Sequence, residues 1–431
     1  MSEALSITAS AVDPGLLALP WSTPLAGWSS REIVYLPKGI SRHLVRFASL
    51  SGHVVAIKET TREMARREYD MLGSLARLDI PCVERVAVIA GRTDAAGKAL
   101  PAALVTAHLK FSLPYRALFT QVLRPDTAGR LVDALAVLLV RLHNAGFFWG
   151  DVSLSNTLFR RDAGAFAAYL VDAETGELHE GGLTPGQREH DLEIAHTNIA
   201  GEILDLAASG RLEGGVDAVQ VADGIISSYR SLWAALTDRE TFAANESWRI
   251  TERVQRLNRL GFDIGEMSIQ TAPDGTRVSI QPKVVDAGHH PRRLLRLTGL
   301  DVEENQARRL LNDLDEYRAR SGRLDEDEEV LAHEWLTRVF EPIVRAIPFE
   351  LRAKLEPAEV FHQVLEHRWY MSQARGVSAP LAEVLTSYID DVLRHRRDEA
   401  TIMGPATETM TVPIGLAEAS GDDEVDWRDL V

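Results

Sequence analysis

The stretch HNAGFFWGDVSLSNTLFRR, residues 143–161, decides how the fold of this chain is interpreted. A long helical pattern, residues 127–144, runs into it and is followed by a glycine, which is a helix stop signal. A strand-like segment begins at Thr157. Between the helix and the strand, Asp151 stands five residues before Asn156. The stretch is therefore either an ordinary helix-to-strand connection or a catalytic loop that holds a proton acceptor beside a metal ligand.

Asp151 and Asn156 carry the side chains that phosphoryl transfer requires of such a loop. The Asp151 carboxylate can accept the proton of an acceptor hydroxyl and orient it for in-line attack, while the Asn156 carbonyl can face Mg²⁺. Sixteen residues after Asn156, the apolar segment YLV delivers Asp172 to the end of a second strand. Oxygen ligands of this kind suit a divalent cation that also binds ATP phosphates. Each residue alone fits an ordinary turn equally well, so the rest of the chain has to decide.

The strand VVAIK, residues 54–58, supplies the next candidate, because it ends in Lys58. A lysine there can hold the α- and β-phosphates of a nucleotide, and the small Ala56 leaves room for the adenine ring. Ten residues later, Glu68 lies in a helical pattern and can pair with Lys58, with Glu63 as the competing candidate. The alternatives are a surface lysine on an edge strand and a solvated helix face. The joint order favours a nucleotide site: Lys58, Glu68, Asp151, Asn156 and Asp172.

The wider pattern places these candidates on elements of the right type. Strands are predicted at residues 43–50 and 53–59, split by a Ser-Gly turn, and again at residues 83–90 and 102–109. A helical region with one hairpin, residues 266–285, follows the loop. Its last helices are predicted at residues 302–320, 327–346, 357–373 and 379–397. Strands, a helix, more strands and then a mostly helical region are the layout of a two-lobed phosphotransferase.

Composition excludes several other classes of protein. The chain has 431 residues, enough for two or three domains, and its single cysteine, Cys82, excludes an internal disulfide and argues against a cysteine zinc site. A net charge of −16 argues against a general nucleic-acid or anionic-membrane binder. The apolar run at residues 134–140 is far short of the roughly 20 residues that span a bilayer, and the N-terminus lacks the pattern of a signal peptide. We expect a cytoplasmic protein without a membrane span.

At its catalytic loop the sequence resembles the protein-kinase-like superfamily. Loops of the form HxxGxxHxDLxxxN occur in the RIO kinases and in the lipopolysaccharide-core sugar (Kdo and heptose) kinases, and this chain has HNAGFFWGDVSLSN. The resemblance covers roughly residues 30–240. The remainder is similar to an uncharacterised bacterial family that joins such a domain to a C-terminal domain of unknown function.

The resemblance implies ATP and Mg²⁺ as cofactors and a role for each candidate. Lys58 would bind the phosphates with Glu68 as its partner, Asp151 would be the catalytic base, and Asn156 and Asp172 would bind Mg²⁺. The resemblance also implies a hinge that touches adenine with backbone groups; it consists of Thr106, Ala107, His108 and Leu109. Asp191 is then either a buried anchor under the catalytic loop or an ordinary aspartate near a helix N-terminus.

Three departures from the family pattern concern regulation more than catalysis. The first strands are not joined by GxGxxG, and the corresponding segment offers only Gly39, with Lys38, Ser41 and Arg42 nearby. Trp149 and Gly150 replace the usual histidine and arginine before the catalytic aspartate, so a phosphorylated activation loop has no obvious cation to bind. Asp172 is followed by Ala-Glu, whereas protein kinases have Phe-Gly. None of the three removes a predicted ligand.

These observations predict an α+β chain with a two-lobed protein-kinase-like fold and an added C-terminal domain. Residues 1–20 are expected to be a flexible arm, residues 21–110 the N-lobe and residues 111–243 the C-lobe. Residues 244–400 are expected to form a mainly helical domain of unknown function with a small β-hairpin. Residues 401–431 are expected to be a disordered acidic tail.

Three functions are compatible with these residues. The first is an ATP-dependent phosphotransferase acting on a hydroxyl of a small molecule, a sugar or a protein. The second is a nucleotide-binding pseudokinase that regulates a protein partner through the C-terminal domain, and the missing glycine-rich loop motivates it. The third is an interaction scaffold that binds no nucleotide. The order of the five candidate ligands favours the first, and the acceptor cannot be derived from the fold.

Overall fold

The computed structural model describes residues 4–29, 32–34, 44–119, 125–210, 212, 216–243, 246, 248–259, 262–271, 277–323, 325–396 and 398–399. Three predicted features lie outside the described residues: the segment around Gly39, the hairpin turn at residues 273–275 and the acidic tail at residues 401–431.

A six-stranded antiparallel sheet forms the first layer of the fold, with the spatial order β1-β5-β6-β4-β3-β2. Its strands are β1 (Ser6–Ala9), β2 (Ile33–Val34), β3 (Val45–Leu50), β4 (His53–Thr60), β5 (Arg85–Ala90) and β6 (Ala102–Ala107). The predicted hairpin between β3 and β4 is confirmed. Ser51 and Gly52 at its tip have φ angles of 48° and 85°, which match the primed turns that suit the twist of paired strands.

Helix α1 (Arg62–Arg77) follows β4 directly and packs on one face of this sheet. The hydroxyl of Thr61 accepts a hydrogen bond from the Met64 amide and so caps the helix. Ala65 and Tyr69 of α1 are buried against Leu104 of β6. Because strand side chains alternate between faces, β4 points Lys58 towards α1.

The opposite face of the sheet is covered by the N-terminal segment, residues 6–28, which corrects the flexible arm predicted for residues 1–20. Strand β1 pairs with β5, and Leu16, Trp21 and Trp28 are buried against the sheet. This segment has no periodic sequence pattern because it crosses the sheet in short 3-10 turns, which present no repeating apolar face.

The next part of the chain is built on four helices, one of them only five residues long, beside two small sheets. The elements are β7 (Ser112–Pro114), α2 (Tyr115–Phe119), α3 (Pro125–Asn144), β8 (Phe147–Phe148), β9 (Thr157–Asp162), β10 (Ala165–Leu170), β11 (Glu177–Leu178), α4 (Pro185–Ala208) and α5 (Ala218–Thr237). The strands pair in the orders β10-β9-β7 and β11-β8. Leu135, Leu139, Ile199 and Ile225 are completely or almost completely buried in the helical core.

The C-terminal part contains a three-stranded sheet, in the order β12-β14-β13, followed by helices. The elements are β12 (Glu240–Ala243), α6 (Trp248–Arg259), β13 (Phe262–Thr271), β14 (Arg277–Ala287), α7 (His289–Thr298), α8 (Glu304–Arg320), α9 (Glu328–Trp335), α10 (Glu341–Ala346), α11 (Pro357–Arg375) and α12 (Leu381–Ser387). The predicted α+β class is confirmed, with an N-terminal antiparallel sheet and a mainly helical C-terminal region. Among the helices of the described residues, none combines the length and the apolar character that crossing a bilayer requires.

Contacts divide the chain into two compact units. One comprises Met1–Ile33 and Lys38–Arg308, and the other comprises Val34–Pro37 and Arg309–Val431. The first unit therefore includes β13 and β14, which the sequence analysis had assigned to the C-terminal domain. In the second unit, Trp335 is buried and its indole nitrogen donates to Asp313 at 2.7 Å.

Candidate active site

Lys58 lies at the centre of a buried group of acidic side chains. Its Nζ is 2.9 Å from Glu68 Oε2, 2.7 Å from Asp172 Oδ2 and 2.8 Å from Glu174 Oε2. Strand β4 supplies the lysine, α1 supplies Glu68, and the residues after β10 supply Asp172 and Glu174. Glu63 is exposed at the start of α1, so the choice left open by the sequence falls on Glu68.

The charges in this group perturb one another strongly. Burial alone would lower the pKa of Lys58, but the Glu68 and Asp172 carboxylates, with hydrogen bonds to Asp172 and Glu174, raise that pKa above its ordinary value. Burial and the nearby Asp172 charge raise the pKa of Glu68 to about 8, against the opposing attraction of Lys58. One ammonium thus faces three carboxylates, which leaves an excess of negative charge when all of them are ionised.

This excess suits a divalent cation. Carboxylate oxygens of Glu68, Asp172 and Glu174 lie within 4.8 Å of one another, and Mg²⁺ prefers hard oxygen ligands. The Asp172 side chain is held in place because its Oδ1 accepts the Glu174 amide at 2.9 Å. The oxygens of Asp172 and Glu174 therefore suit Mg²⁺, while Glu68 serves as the partner of Lys58. Glu174 is a donor that the predicted ligand pair, Asn156 and Asp172, did not include.

The predicted base and the predicted amide ligand form a second group, in the loop before β9. The Asn156 amide nitrogen donates to the backbone oxygen of Asp151 at 3.0 Å and to its Oδ2 at 3.1 Å. The carbonyl Oδ1 of Asn156 is therefore the atom left to face a cation. The backbone oxygen of Asn156 accepts the Val171 amide at 2.9 Å, which joins this loop to the end of β10 beside Asp172.

Trp149 and Gly150, the departures before Asp151, have structural roles. The buried Trp149 indole donates to the backbone oxygen of Asp172 at 2.8 Å and so ties the loop to the acidic group around Lys58. Gly150 has a φ of 75°, and a Cβ there would approach the Phe148 ring to 3.1 Å. Glycine is therefore the residue that this turn accepts most readily.

Asp191 is the buried anchor rather than an ordinary aspartate near a helix N-terminus. Its carboxylate accepts the amides of Trp149 and Gly150 at 2.9 and 2.8 Å, and its Oδ2 is 3.0 Å from His143 Nε2. His143 Nδ1 in turn is 2.7 Å from the Tyr229 hydroxyl. Both the helix α3 and the loop that follows it are thereby attached to α4.

Two further residues of α4, Asn198 and Glu202, were missed by the sequence analysis. The Asn198 amide donates to Asp151 Oδ1 at 3.2 Å and to the Val152 oxygen at 3.1 Å. Glu202 accepts the amides of Leu154 and Ser155 at 2.7 and 3.0 Å. Their spacing from Asp191, seven and eleven residues, puts all three on one helix face and was the available clue.

Ala56, which is predicted to leave room for the adenine ring, lies in a central strand of the sheet and has a neighbour on each side. Ala56 pairs with Phe47 of β3 and with Thr106 of β6. Ala56 shares its face of β4 with Lys58, two residues away, as a nucleotide lying along the strand requires. The Phe47 and His108 rings meet edge to face, with centroids 5.6 Å apart.

The predicted hinge already uses two of its amides within the protein. The Ala107 amide donates to the Glu84 oxygen at 2.8 Å, and the His108 amide donates to the Val54 oxygen at 2.9 Å. The assignment of Thr106, Ala107, His108 and Leu109 to adenine binding stays a prediction.

Comparisons with known proteins show that two segments of the chain each match a protein family. Residues 47–199 match the lipopolysaccharide kinase (Kdo/WaaP) family, and residues 231–393 match a domain of unknown function (DUF4032). A solved structure described as WaaP in complex with acyl carrier protein is 16% identical, with a TM-score of 0.33, over 52% of this chain and 89% of that chain. The comparison with curated proteins found no matching sequence. The chain therefore joins a kinase-like segment, which is similar to the lipopolysaccharide kinase (Kdo/WaaP) family, to a C-terminal segment that is similar to a domain of unknown function, and this confirms the resemblance seen at the catalytic loop.

Proposed function

We propose that the chain is an ATP-dependent phosphotransferase that moves the γ-phosphoryl group of ATP to a hydroxyl of a small molecule, a sugar or a protein. The observation that carries this proposal is the position of Lys58 Nζ, 2.9 Å from Glu68 and 2.7 Å from Asp172. Residues separated by up to 114 positions in the sequence meet there in the arrangement that phosphate binding requires.

The proposed roles follow from the side-chain chemistry. Asp151 accepts the proton of the acceptor hydroxyl, whose oxygen forms a bond to the γ-phosphorus while the bond from that phosphorus to the bridging oxygen of ADP breaks. Lys58 binds the α- and β-phosphates, and Glu68 holds the ammonium in place. Mg²⁺, held by Asn156 and Asp172 with help from Glu174, would neutralise negative charge on the phosphates when bound.

The partners that we propose are ATP, the hydroxyl acceptor and a protein partner of the C-terminal domain. The chain has a single cysteine, Cys82, and this composition together with the use of ATP favours the cytoplasm as the location. Neither nucleic acid nor an anionic membrane is proposed as a partner, because the net charge of the chain is −16.

The test is turnover of Mg-ATP, measured as release of labelled phosphate with water as the acceptor. We expect Lys58→Met and Asp151→Asn to lower turnover by at least about 100-fold, since each removes a group that acts in the transition state. Lys98→Met, in an exposed turn, and Asp205→Asn, on the exposed face of α4, are matched controls that should keep wild-type turnover. Unchanged turnover in both test variants would refute the proposal.

The alternative function is a nucleotide-binding pseudokinase. The sequence feature that favours it is the lack of GxGxxG between the first strands. It predicts that the wild type binds Mg-ATP, that no phosphate is released with water or with any acceptor, and that nucleotide changes the affinity for a partner. Phosphate release that depends on Asp151 would exclude it.

A further inference from the structure

Helix α4 holds the whole catalytic loop with a single face. Asp191, Asn198 and Glu202 follow one another at intervals of seven and four residues, which are two turns and one turn of an α-helix. Their side chains bind the loop in chain order, at residues 149–150, 151–152 and 154–155. The register of the helix therefore sets the conformation of the loop.

We propose that Asn198 is a positioning residue for Asp151, and this inference rests on the proposed function. The two oxygens of the Asp151 carboxylate have separate amide donors: Asn198 at 3.2 Å from Oδ1 and Asn156 at 3.1 Å from Oδ2. One donor would leave the carboxylate free to rotate about its Cβ–Cγ bond. Two donors on opposite oxygens fix the plane of the carboxylate and hence the direction of its remaining lone pairs.

Asn198 is itself held in a single orientation. Its second contact, from the amide nitrogen to the backbone oxygen of Val152 at 3.1 Å, uses the other N–H group of the same nitrogen. The Asn198 side chain therefore holds the Asp151 carboxylate in a fixed position relative to the backbone of Val152. Glu202 stabilises the same loop further on, through the amides of Leu154 and Ser155.

The consequence concerns the rate of transfer rather than the binding of nucleotide. A base that removes the acceptor proton during in-line attack needs a fixed direction, and misplacement by about 1 Å can lower a rate by about 100-fold. Asn198 is not among the residues assigned to the phosphates or to Mg²⁺. Loss of its amide should therefore lower kcat and leave the affinity for Mg-ATP unchanged.

The experiment measures kcat and KM for Mg-ATP hydrolysis, with water as the acceptor, in Asn198→Asp and Asn198→Ala. Asn198→Asp keeps the size of the side chain and replaces the amide nitrogen, which is the donor, by an oxygen. Asn198→Ala removes the whole amide group. We expect kcat to fall about 10- to 100-fold in each variant, with KM and the dissociation constant of Mg-ATP within about twofold of wild type. Thr197→Ala, one residue away on an exposed position of α4, is the control and should match wild type.

A double variant separates positioning from a general structural role. If Asn198 acts through Asp151, Asn198→Asp should lower kcat in the wild type but cause little further loss in Asp151→Asn. Equal losses in both backgrounds, or a matching loss of Mg-ATP affinity, would overturn the inference. Thermal unfolding of each variant identifies any that fails to fold, in which case the other Asn198 variant decides.

The outcomes also separate this inference from the proposed function. Wild-type kcat in both Asn198 variants, together with a large loss in Asp151→Asn, would overturn the positioning role alone. Wild-type turnover in Asp151→Asn, or a wild type without turnover, would overturn the proposed function and the positioning role together.

Discussion

At Lys58 the protein places one positive charge against three negative ones, and this imbalance is the central feature of the site. Glu68 is the most deeply buried of the three carboxylates, with 2% of its surface exposed. A buried carboxylate is stable either as a neutral acid or beside enough positive charge. The group therefore stores an unfavourable interaction in the free protein that a bound divalent cation would relieve.

The first prediction concerns the pH dependence of stability. The pKa of Glu68 is raised to about 8 in the folded protein, whereas an unfolded glutamate titrates near about 4.3. Between these values the folded chain binds more protons than the unfolded chain, so the free energy of unfolding should fall as pH rises from about 5 to about 8. Glu68→Gln should flatten part of this decline, by an amount on the order of 1 kcal/mol or more. Urea unfolding at several pH values measures it.

Glu63→Gln is the matched control for this prediction, because Glu63 lies on the same helix with its side chain exposed. The control should keep the wild-type dependence on pH. A decline in Glu68→Gln as steep as that of the wild type would show that Glu68 does not titrate in this range.

Residues at local motifs were open to prediction from sequence, whereas residues that act across the fold were not. The pairing of Lys58 with Glu68 was predicted, because strand order and helix order brought the two together. Glu174 and Asn198 had no motif that distinguished them from ordinary polar residues. Their contacts depend on how β10 and α4 pack, which no local pattern encodes. The roles in catalysis stay predictions for all of them.

At the scale of elements, the hairpin of β9 and β10 connects the site to α8. Asn156 stands just before β9, and Asp172 follows β10. At the far end of β9, Asp162 accepts the backbone amides of Asn305 and Gln306, at 3.1 and 2.8 Å. These amides belong to the first turn of α8, so Asp162 caps α8 from a distant part of the chain.

The second prediction is that Asp162→Ala destabilises this connection. The variant leaves the buried amides of the first turn without acceptors, which costs about 1–3 kcal/mol in the free energy of unfolding. Asp205→Ala, at an exposed position of α4, is the control and should change stability by less than about 0.5 kcal/mol. Urea unfolding followed by circular dichroism measures both. An Asp162→Ala variant as stable as its control would rule out a stabilising cap.

The N-terminal segment is attached to the sheet by one buried arginine. The Arg92 guanidinium donates to the backbone oxygens of Trp21 and Thr23, at 3.0 and 2.8 Å, and to Glu59 Oε1 at 2.8 Å. Glu59 Oε1 also accepts the Leu25 amide at 2.9 Å. The N-terminal segment is thus held on the sheet both by its buried apolar side chains and by the hydrogen bonds of Arg92.

The third prediction follows from that attachment. Arg92→Ala leaves the mostly buried Glu59 carboxylate with the Leu25 amide but without its cationic partner. Removing one partner of a buried ion pair typically destabilises a protein by about 3–5 kcal/mol. We expect a loss of this size in urea unfolding and faster proteolysis within residues 6–28. Arg239→Ala, at an exposed position, is the control and should behave as wild type. Proteolysis at the wild-type rate in Arg92→Ala would contradict the proposed attachment.

Elements with a long regular pattern were predictable, and short or irregular ones were not. The hairpin of β3 and β4 was predicted from alternation and a Ser-Gly turn, and α3 from its long helical pattern and the glycine that follows it. The five-residue helix α2 and the two-residue strand β8 are too short to produce a pattern. The N-terminal cover was missed for a different reason, because tertiary contacts rather than periodicity hold it in place.

At the scale of the whole molecule, the family boundaries and the compact units do not coincide. The match to the domain of unknown function begins at residue 231, while the first compact unit continues to Arg308. The first part of that matched segment therefore belongs to the same unit as the kinase-like residues. The packing of β14 on α5 and the contacts of Asp162 with the first turn of α8 explain this.

The fourth prediction concerns stabilisation of the full chain by Mg-ATP. A ligand that binds only the folded state, at about 100 times its dissociation constant, raises the free energy of unfolding by about 2.7 kcal/mol. We expect such a rise with Mg-ATP and a smaller one with ATP and a chelator, because the acidic group around Lys58 repels phosphates unless a cation is present. Asp172→Asn should abolish the difference between the two conditions, and Asp205→Asn should preserve it.

A Mg²⁺-dependent rise in the free energy of unfolding that requires Asp172 would establish the nucleotide site, which both the enzyme and the pseudokinase need. No rise at millimolar Mg-ATP would favour the scaffold and move the search for function to the C-terminal domain.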